Sequence, residues 1–157
     1  MDASTLVSAG DTTFDVRDRL AIINVLSSYG FFIDHSRFEE FCGLFSSRPT
    51  VEMWCGKDLL VEGWEQFRDL VIARQQAFER DNVERRHVLT AVRFDAQGAQ
   101  AASGQAYVLL YSTEHDASSL VTTGCYEFTT VNERGQWKID RLIGHVDSRN
   151  YGKGVGR

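Results

Sequence analysis

Few side chains in this sequence could transfer a proton: Asp34, the tyrosines and four histidines, namely His35, His87, His115 and His145. His87 lies in the segment ERRHVLTAVRF, whose apolar residues alternate as in a buried strand. A buried imidazole needs a hydrogen-bond partner. His87 could therefore serve as a general base, or as a structural histidine bonded to a backbone carbonyl.

The other candidates have simpler explanations. His115 lies in a predicted turn beside two acidic residues, and His35 lies in a polar turn, so both are expected to be solvated. His145 is near the end of the last predicted strand, where it could line the mouth of a cavity or face water. Asp34 ends the first predicted helix, where it could bond a nearby backbone amide. Arg86 precedes His87 and should therefore point to the opposite face of the strand.

Composition narrows the class of protein. The 157 residues, 43% of them hydrophobic, fit one domain with a sizeable core. A net charge of −5 without a Lys/Arg cluster argues against a nucleic-acid or anionic-membrane partner. Three cysteines without a CxxC motif and histidines without ligand spacing indicate neither a disulfide framework nor a metal site. Since there is no signal-peptide pattern and no run long enough to span a bilayer, we expect a cytoplasmic location.

Helical periodicity predicts the elements that precede the strands. A first, mostly buried helix covers residues 15–34, and Gly30 within it either allows close packing or marks a bend. A Ser-x-x-Glu capping box at Ser36 opens a short second helix, which ends before Pro49. A small hairpin follows, and then a third helix over residues 64–78.

Strand-like segments fill the second half of the chain. Turn signals at DAQG, EHDASS and NERG separate four long strands, at about 83–95, 99–113, 119–132 and 136–146. Short links between long strands predict an antiparallel meander. We therefore expect an α+β domain over residues 15–148, a flexible N-terminal arm at 1–14 and a flexible tail at 149–157.

Four motifs occur in an order and spacing that resemble the SnoaL-like branch of the NTF2-like superfamily, over residues 15–148. They are Tyr-x4-Asp (Tyr29, Asp34), an Arg-His pair (Arg86, His87), Gly-x-Tyr (Gly124, Tyr126) and Gly-x-Trp-Lys-Ile before Arg141. The resemblance implies a cone, in which a strongly curved antiparallel sheet and three N-terminal helices enclose a pocket.

The resemblance also implies roles for residues. In scytalone dehydratase and hexachlorocyclohexane dehydrochlorinase, which share the fold, an aspartate matching Asp34 holds the tautomer of a histidine matching His87, and this histidine acts as the base. Such chemistry needs no cofactor. A second histidine of scytalone dehydratase is absent here, where YVLLYST offers tyrosines instead. The expected substrate-binding residues are Tyr29, Tyr107, Tyr111 and Tyr126 as hydrogen-bond donors, Trp54 as apolar wall and His145 at the mouth.

Two functions remain open from the sequence. The first is a cofactor-independent lyase, isomerase or cyclase acting on a largely apolar small molecule of polyketide, terpenoid or aromatic type. The second is a non-catalytic subunit or binding module, such as the small subunit of a ring-hydroxylating dioxygenase. In either case we expect a homodimer, because the outer face of a sheet rich in Val, Thr, Tyr and Phe usually needs a cover.

Overall fold

The computed structural model describes residues 5–149, which form three helices and one seven-stranded sheet. The sheet is curved and unclosed, with the strand order β1-β4-β5-β6-β7-β2-β3. The helices are α1 (Val16–Asp34), α2 (Phe38–Gly43) and α3 (Trp64–Arg80). The strands are β1 (Thr5–Leu6), β2 (Phe45–Cys55), β3 (Asp58–Glu62), β4 (Glu84–Gln97), β5 (Ala101–Glu114), β6 (Ala117–Glu133) and β7 (Gln136–Val146). This is the expected α+β architecture.

Helix α1 forms where the periodicity predicts it. Asp15 is its N-cap, and the carboxylate accepts hydrogen bonds from the backbone N–H groups of Arg17 and Asp18. The face that carries Ile22 and Leu26 is fully buried against the sheet. Burying a side chain of this size contributes about 1.5–3 kcal/mol. The packed face, more than helix propensity, therefore fixes α1 on the sheet.

The capping box expected at Ser36 is wrong. Ser36 has a left-handed backbone (φ 56°), and its hydroxyl donates to Glu79 of α3. The N-cap of α2 is Arg37, whose side chain makes no capping hydrogen bond. Because α2 follows α1 after only three residues, the chain must turn sharply there, and this turn removes Ser36 from the capping position.

Strand β2 is longer than the predicted hairpin arm and begins at Phe45. It pairs in parallel with β7 and antiparallel with β3. The register with β7 shifts between Phe45 and Thr50, so the intervening segment, which contains Pro49, bulges out of the ladder. A proline is tolerated there because it does not have to donate a ladder hydrogen bond. The predicted helix end at 46–49 is therefore an irregular part of a strand.

The meander β4-β5-β6-β7 is antiparallel throughout, as predicted. Alternate residues of β5 and β6 are buried beneath the helices, which defines an inner and an outer face of the sheet. A register shift in β4 lies beside Ala91, whose φ is 51°. Such a bulge bends a strand and adds to the curvature of the sheet.

The N-terminal arm is partly ordered by the sheet. Within the predicted arm at residues 1–14, Thr5 and Leu6 pair with Gln97 and Ala96 of β4. Residues 1–4 and 150–157, including nearly all of the expected tail, lie outside the described residues. Within residues 5–149, none of the helices has the length and apolar character needed to cross a membrane.

Candidate active site

Helix α1 and strand β4 approach each other at Gly30. A Cβ atom at this position would lie 3.1 Å from the Cβ of His87 and under 3.0 Å from its carbonyl oxygen, closer than real Cβ atoms approach. Glycine therefore allows the last turns of α1 to lie directly on the strand. Asp34, one turn further along the helix, is brought to the same strand.

Asp34 holds His87 by both carboxylate oxygens. Oδ1 lies 2.6 Å from the ring Nδ1 of His87, and Oδ2 accepts a hydrogen bond of 2.8 Å from the backbone N–H of His87. On this side of β4 the only strand among the described residues is β1, which pairs with Ala96 and Gln97 and does not reach His87. The carboxylate therefore satisfies an edge-strand donor and orients the imidazole with one group. The contact expected between the two side chains is present.

The hydrogen bond defines how the imidazole can react. An ionised carboxylate only accepts hydrogen bonds, so Nδ1 carries the proton in the neutral ring. The second nitrogen, Nε2, is then an acceptor. Only 5% of the Asp34 side chain and 18% of the His87 side chain are exposed, so water competes little for this contact. The pair has the arrangement of a general base and its orienting group.

A cavity of about 60 Å³ lies beside the imidazole, between the helices and the inner face of the sheet. Since a water molecule takes about 30 Å³ in the liquid, this volume fits a small ligand or one end of a larger one. Its wall is mostly apolar. The apolar part consists of Ile33, Met53, Phe67, Val71, Phe78, Val108, Leu110 and Val146. The polar or charged groups are Tyr29, Arg74, Gln75, Arg85, His87, Thr122 and Tyr126.

Gln75 of α3 separates this cavity from an open cleft on the outside. It is 5% exposed, borders both spaces, and its Nε2 lies 3.4 Å from the backbone oxygen of Asp34. The cleft is lined by Asp34, His35 and residues of α3 and β4. Gln75 therefore lies between the cavity and the cleft.

Two of the predicted substrate-binding tyrosines line the cavity. Tyr29 is 2% exposed and Tyr126 is 6% exposed, and their rings meet edge to face with centroids 5.9 Å apart. The Tyr29 ring also meets the His87 ring edge to face at 6.3 Å. Tyr29 thus lies beside the imidazole, and Tyr126 lies beside Tyr29 in the same cavity wall.

The other four residues predicted to contact substrate do not lie in the wall of this cavity. Tyr107 and Tyr111 alternate with the inward residues Val108 and Leu110 and so lie on the outer face of the sheet. His145 pairs across the sheet with both Cys125 and Trp54, and Cys125 pairs with Tyr107. Paired residues share a face. We call Tyr107, Cys125, His145 and Trp54 the outer row.

The outer-row histidine and tryptophan have partners of their own. His145 Nε2 lies 3.2 Å from a carboxylate oxygen of Glu127, and the Trp54 indole donates to Glu52 at 2.8 Å. Arg86 is also on the outside, as expected, where it pairs with Glu84 at 2.7 Å.

Sequence reasoning missed Arg85, which is the most deeply buried charged group at the cavity, with 1% exposure. Burial lowers its pKa to about 10. The signal was available, because the alternation that turns Arg86 outward places Arg85 on the same face as His87. Arg74 and Gln75, both from α3, were missed as well, and no local sequence signal identifies them.

Metal ligands do not cluster in the described part of the chain. Between residues 5 and 149 no three His, Cys, Asp or Glu side chains are grouped so that they could hold an ion.

The fold and the Asp-His pair together define a class: an α+β cone with a hydrogen-bonded Asp-His pair at a cavity. The model of the SnoaL-like domain family matches residues 15–143. The chain therefore belongs to the SnoaL-like domain family. No curated protein matches it at a significant level.

Solved structures with the NTF2-like, cystatin-like fold are similar at low identity. A candidate scytalone dehydratase from Novosphingobium aromaticivorans is 20% identical, with a TM-score of 0.69 over 90% of this chain and 91% of that one. The beta subunit of a candidate aromatic-ring-hydroxylating dioxygenase from the same organism is 16% identical, with a TM-score of 0.66 over 85% and 93%. A Catenulispora acidiphila protein in complex with S-DNPA is 18% identical, with a TM-score of 0.66 over 88% and 100%. At these identities the likeness shows the fold alone.

Proposed function

We propose that this protein is a cofactor-independent lyase, isomerase or cyclase that acts on a largely apolar small molecule by general acid-base catalysis. His87 is the base, Asp34 fixes its tautomer, and the cavity tyrosines Tyr29 and Tyr126 are the hydrogen-bond donors. The observation that carries the proposal is that the carboxylate of Asp34 accepts two hydrogen bonds from His87 at the wall of an apolar cavity. The cavity volume favours a substrate, or a reacting part of one, at the small end of the polyketide, terpenoid and aromatic range.

A base of this kind removes a proton from carbon next to a carbonyl group. The test is therefore solvent exchange: small ketones and carboxylic acids are incubated with the protein in deuterium oxide, and loss of the α-proton is followed by NMR. His87→Gln should reduce the enzyme-dependent rate by about 10²–10⁴-fold. His115→Gln is the control, because His115 is exposed in the turn between β5 and β6.

The role of Asp34 has a readout that needs no substrate. Ring-nitrogen NMR of His87 should show the proton on Nδ1 in the neutral protein. Asp34→Asn places an amide N–H where it can donate to Nδ1, so the tautomer should shift towards Nε2–H and the exchange rate should fall. A neutral His87 with its proton on Nε2 in the unmodified protein would reject the proposed base.

The second candidate is a non-catalytic subunit, as in a ring-hydroxylating dioxygenase. Two observations favour it: the cavity is small, and the fold matches the beta subunit from Novosphingobium aromaticivorans. Copurification with a large iron-containing protein, combined with unaltered solvent exchange in His87→Gln, would support this alternative.

We also infer a homodimer formed through the outer face of the sheet. Tyr107 is 60% exposed, Val88 is 42% exposed and Leu120 is 50% exposed, although all three lie in strands of the central meander. Because the outer row adds Trp54 and His145 to this surface, a second copy could cover a continuous patch of mixed aromatic and apolar side chains. We propose a cytoplasmic location, which is supported by three cysteines that are all free thiols.

A further inference from the structure

Arg85 is a buried cation without a hydrogen-bonding partner among residues 5–149. Its Nε and both of its Nη atoms are shielded from solvent, and none of them has a hydrogen bond in the described part of the protein. The guanidinium carbon lies 4.1 Å from the centroid of the Phe78 ring. A ring face attracts the charge but does not satisfy five N–H donors.

Neighbouring charges do not neutralise Arg85 by direct contact. Glu114 and Asp34 raise its pKa and Arg74 lowers it, but burial has the largest effect, and the pKa of about 10 leaves the group protonated at neutral pH. Both oxygens of Asp34 are already bonded to His87. An isolated buried charge is among the costliest arrangements in a protein interior, so its retention at a cavity wall calls for a ligand.

A second unsatisfied polar atom lies beside it. Ser112 is directly opposite Arg85 in the β4–β5 ladder and therefore shares the inner face of the sheet. Its hydroxyl oxygen is buried and, within the described residues, has no hydrogen-bond partner either. The inner face thus presents an excess of donors at the positions next to His87.

We propose that Arg85 is an anion-binding residue of the cavity, and that the ligand is a small organic acid whose carboxylate binds the guanidinium while its apolar part lies against the cavity wall. A guanidinium matches a carboxylate through two parallel N–H···O bonds. This inference rests on the proposed function, because it names the substrate class of the same site. Residues two apart on one face of a strand are about 7 Å apart, so an acid held by Arg85 has its nearest carbon atoms close to His87.

Binding of matched probes by calorimetry tests the inference. Benzoate and isobutyrate are compared with benzamide and isobutyramide, which have the same shapes without the charge. The unmodified protein should bind each acid at least about tenfold more tightly than its amide. Arg85→Met should weaken acid binding by about 10–100-fold and change amide binding by less than about twofold. Arg86→Met is the matched control, because Arg86 is the adjacent residue on the outer face and pairs with Glu84.

Folding of the variant does not limit the test. Arg85→Met replaces an unpaired charge by an apolar chain of similar length, so it should be no less stable than the unmodified protein. Arg85→Lys keeps the charge without the paired donors and should restore part of the acid affinity. Equal binding of acid and amide by the unmodified protein would overturn the inference, whatever the variants do, and so would failure of both acids to bind.

The two proposals fail in different ways. His87→Gln should keep the preference for acids, because the anion is held by Arg85. Acid binding without any His87-dependent solvent exchange would reject the proposed base and retain the anion site. Exchange that depends on His87 without a preference for acids would reject the anion site alone.

Discussion

Replacing Gly30 by alanine should change the stability of the protein in two opposite ways, through helix propensity and through a steric contact. Alanine favours a helix by about 1 kcal/mol relative to glycine, so helix propensity alone predicts a more stable protein. The new methyl group, however, would lie under 3.0 Å from the carbonyl oxygen of His87, whereas ordinary contact begins at 3.4 Å. Helix α1 and strand β4 must therefore separate by more than about 0.4 Å, and the obstacle is backbone that cannot rotate away.

Overpacking of this kind typically costs about 1–3 kcal/mol. We expect the contact to prevail over the propensity, so that Gly30→Ala lowers the free energy of unfolding by up to about 2 kcal/mol. Urea unfolding followed by circular dichroism measures the change. Gly43→Ala is the matched control, since Gly43 is also helical and a Cβ there would have no atom within 4 Å. That variant should be unchanged or slightly more stable.

The same substitution should disturb the site. Separation of α1 from β4 lengthens the 2.6 Å contact between Asp34 and His87, so the fraction of His87 with its proton on Nδ1 should fall in ring-nitrogen NMR. A Gly30→Ala protein that is as stable as Gly43→Ala, with an unchanged His87 spectrum, would refute the close approach as the reason for glycine.

Two further predictions concern the outer face and the thiols. Tyr107→Glu should convert the expected dimer into monomers in sedimentation at micromolar concentration, because a two-fold interface places both new charges together. Leu20→Glu is the control: Leu20 lies on α1 with nearly the same exposure, and this variant should remain dimeric. A monomeric unmodified protein would contradict the proposed interface. Burial raises the pKa of the Cys42 thiol above its ordinary value of 9.0. In a Cys55→Ser/Cys125→Ser protein, the rate at which iodoacetamide alkylates Cys42 should therefore be low at pH 8 and should increase with pH around a midpoint above 9.0. A midpoint below 9.0 would contradict the effect of burial.

The elements were predictable where the signal is local. The apolar spacing of Ile22, Leu26 and Ile33 fixes the buried face of α1 before any tertiary contact is known. Turn residues at three places likewise separate the four strands of the meander. The pairing of β2 with β7 was not predictable, because a parallel pairing between distant segments leaves no local mark. The left-handed backbone of Ser36 also depends on how α2 packs against its neighbours.

The site was predictable only in part, because the sequence does not always show which residues of a strand point inward. In YVLLYST both faces of the strand carry apolar residues, so the pattern does not tell which tyrosines point inward. Tyr107 and Tyr111 were accordingly placed in the cavity when they lie outside. On β4 the expected inward position of His87 decides which residues face the cavity. The same alternation that places Arg86 on the outer face places Arg85 on the inner face. Residue type alone was therefore a poor guide to the cavity residues, whereas residue type combined with the alternation along the strand would have identified Arg85.

Two local physical rules are broken at this cavity, and both exceptions concern charge. Asp34 places a carboxylate in the last turn of α1, where the helix dipole disfavours anions by about 0.3–1 kcal/mol and where the turn itself contains no basic residue. Arg85 buries a guanidinium with no hydrogen-bond partner among residues 5–149. The Asp34 exception is offset by two hydrogen bonds from His87: the bond from the backbone N–H satisfies a strand donor, and the bond at the ring Nδ1 holds the imidazole in one tautomer. The buried guanidinium of Arg85 receives no hydrogen bond acceptor from residues 5–149. A bound anion would supply the missing acceptors.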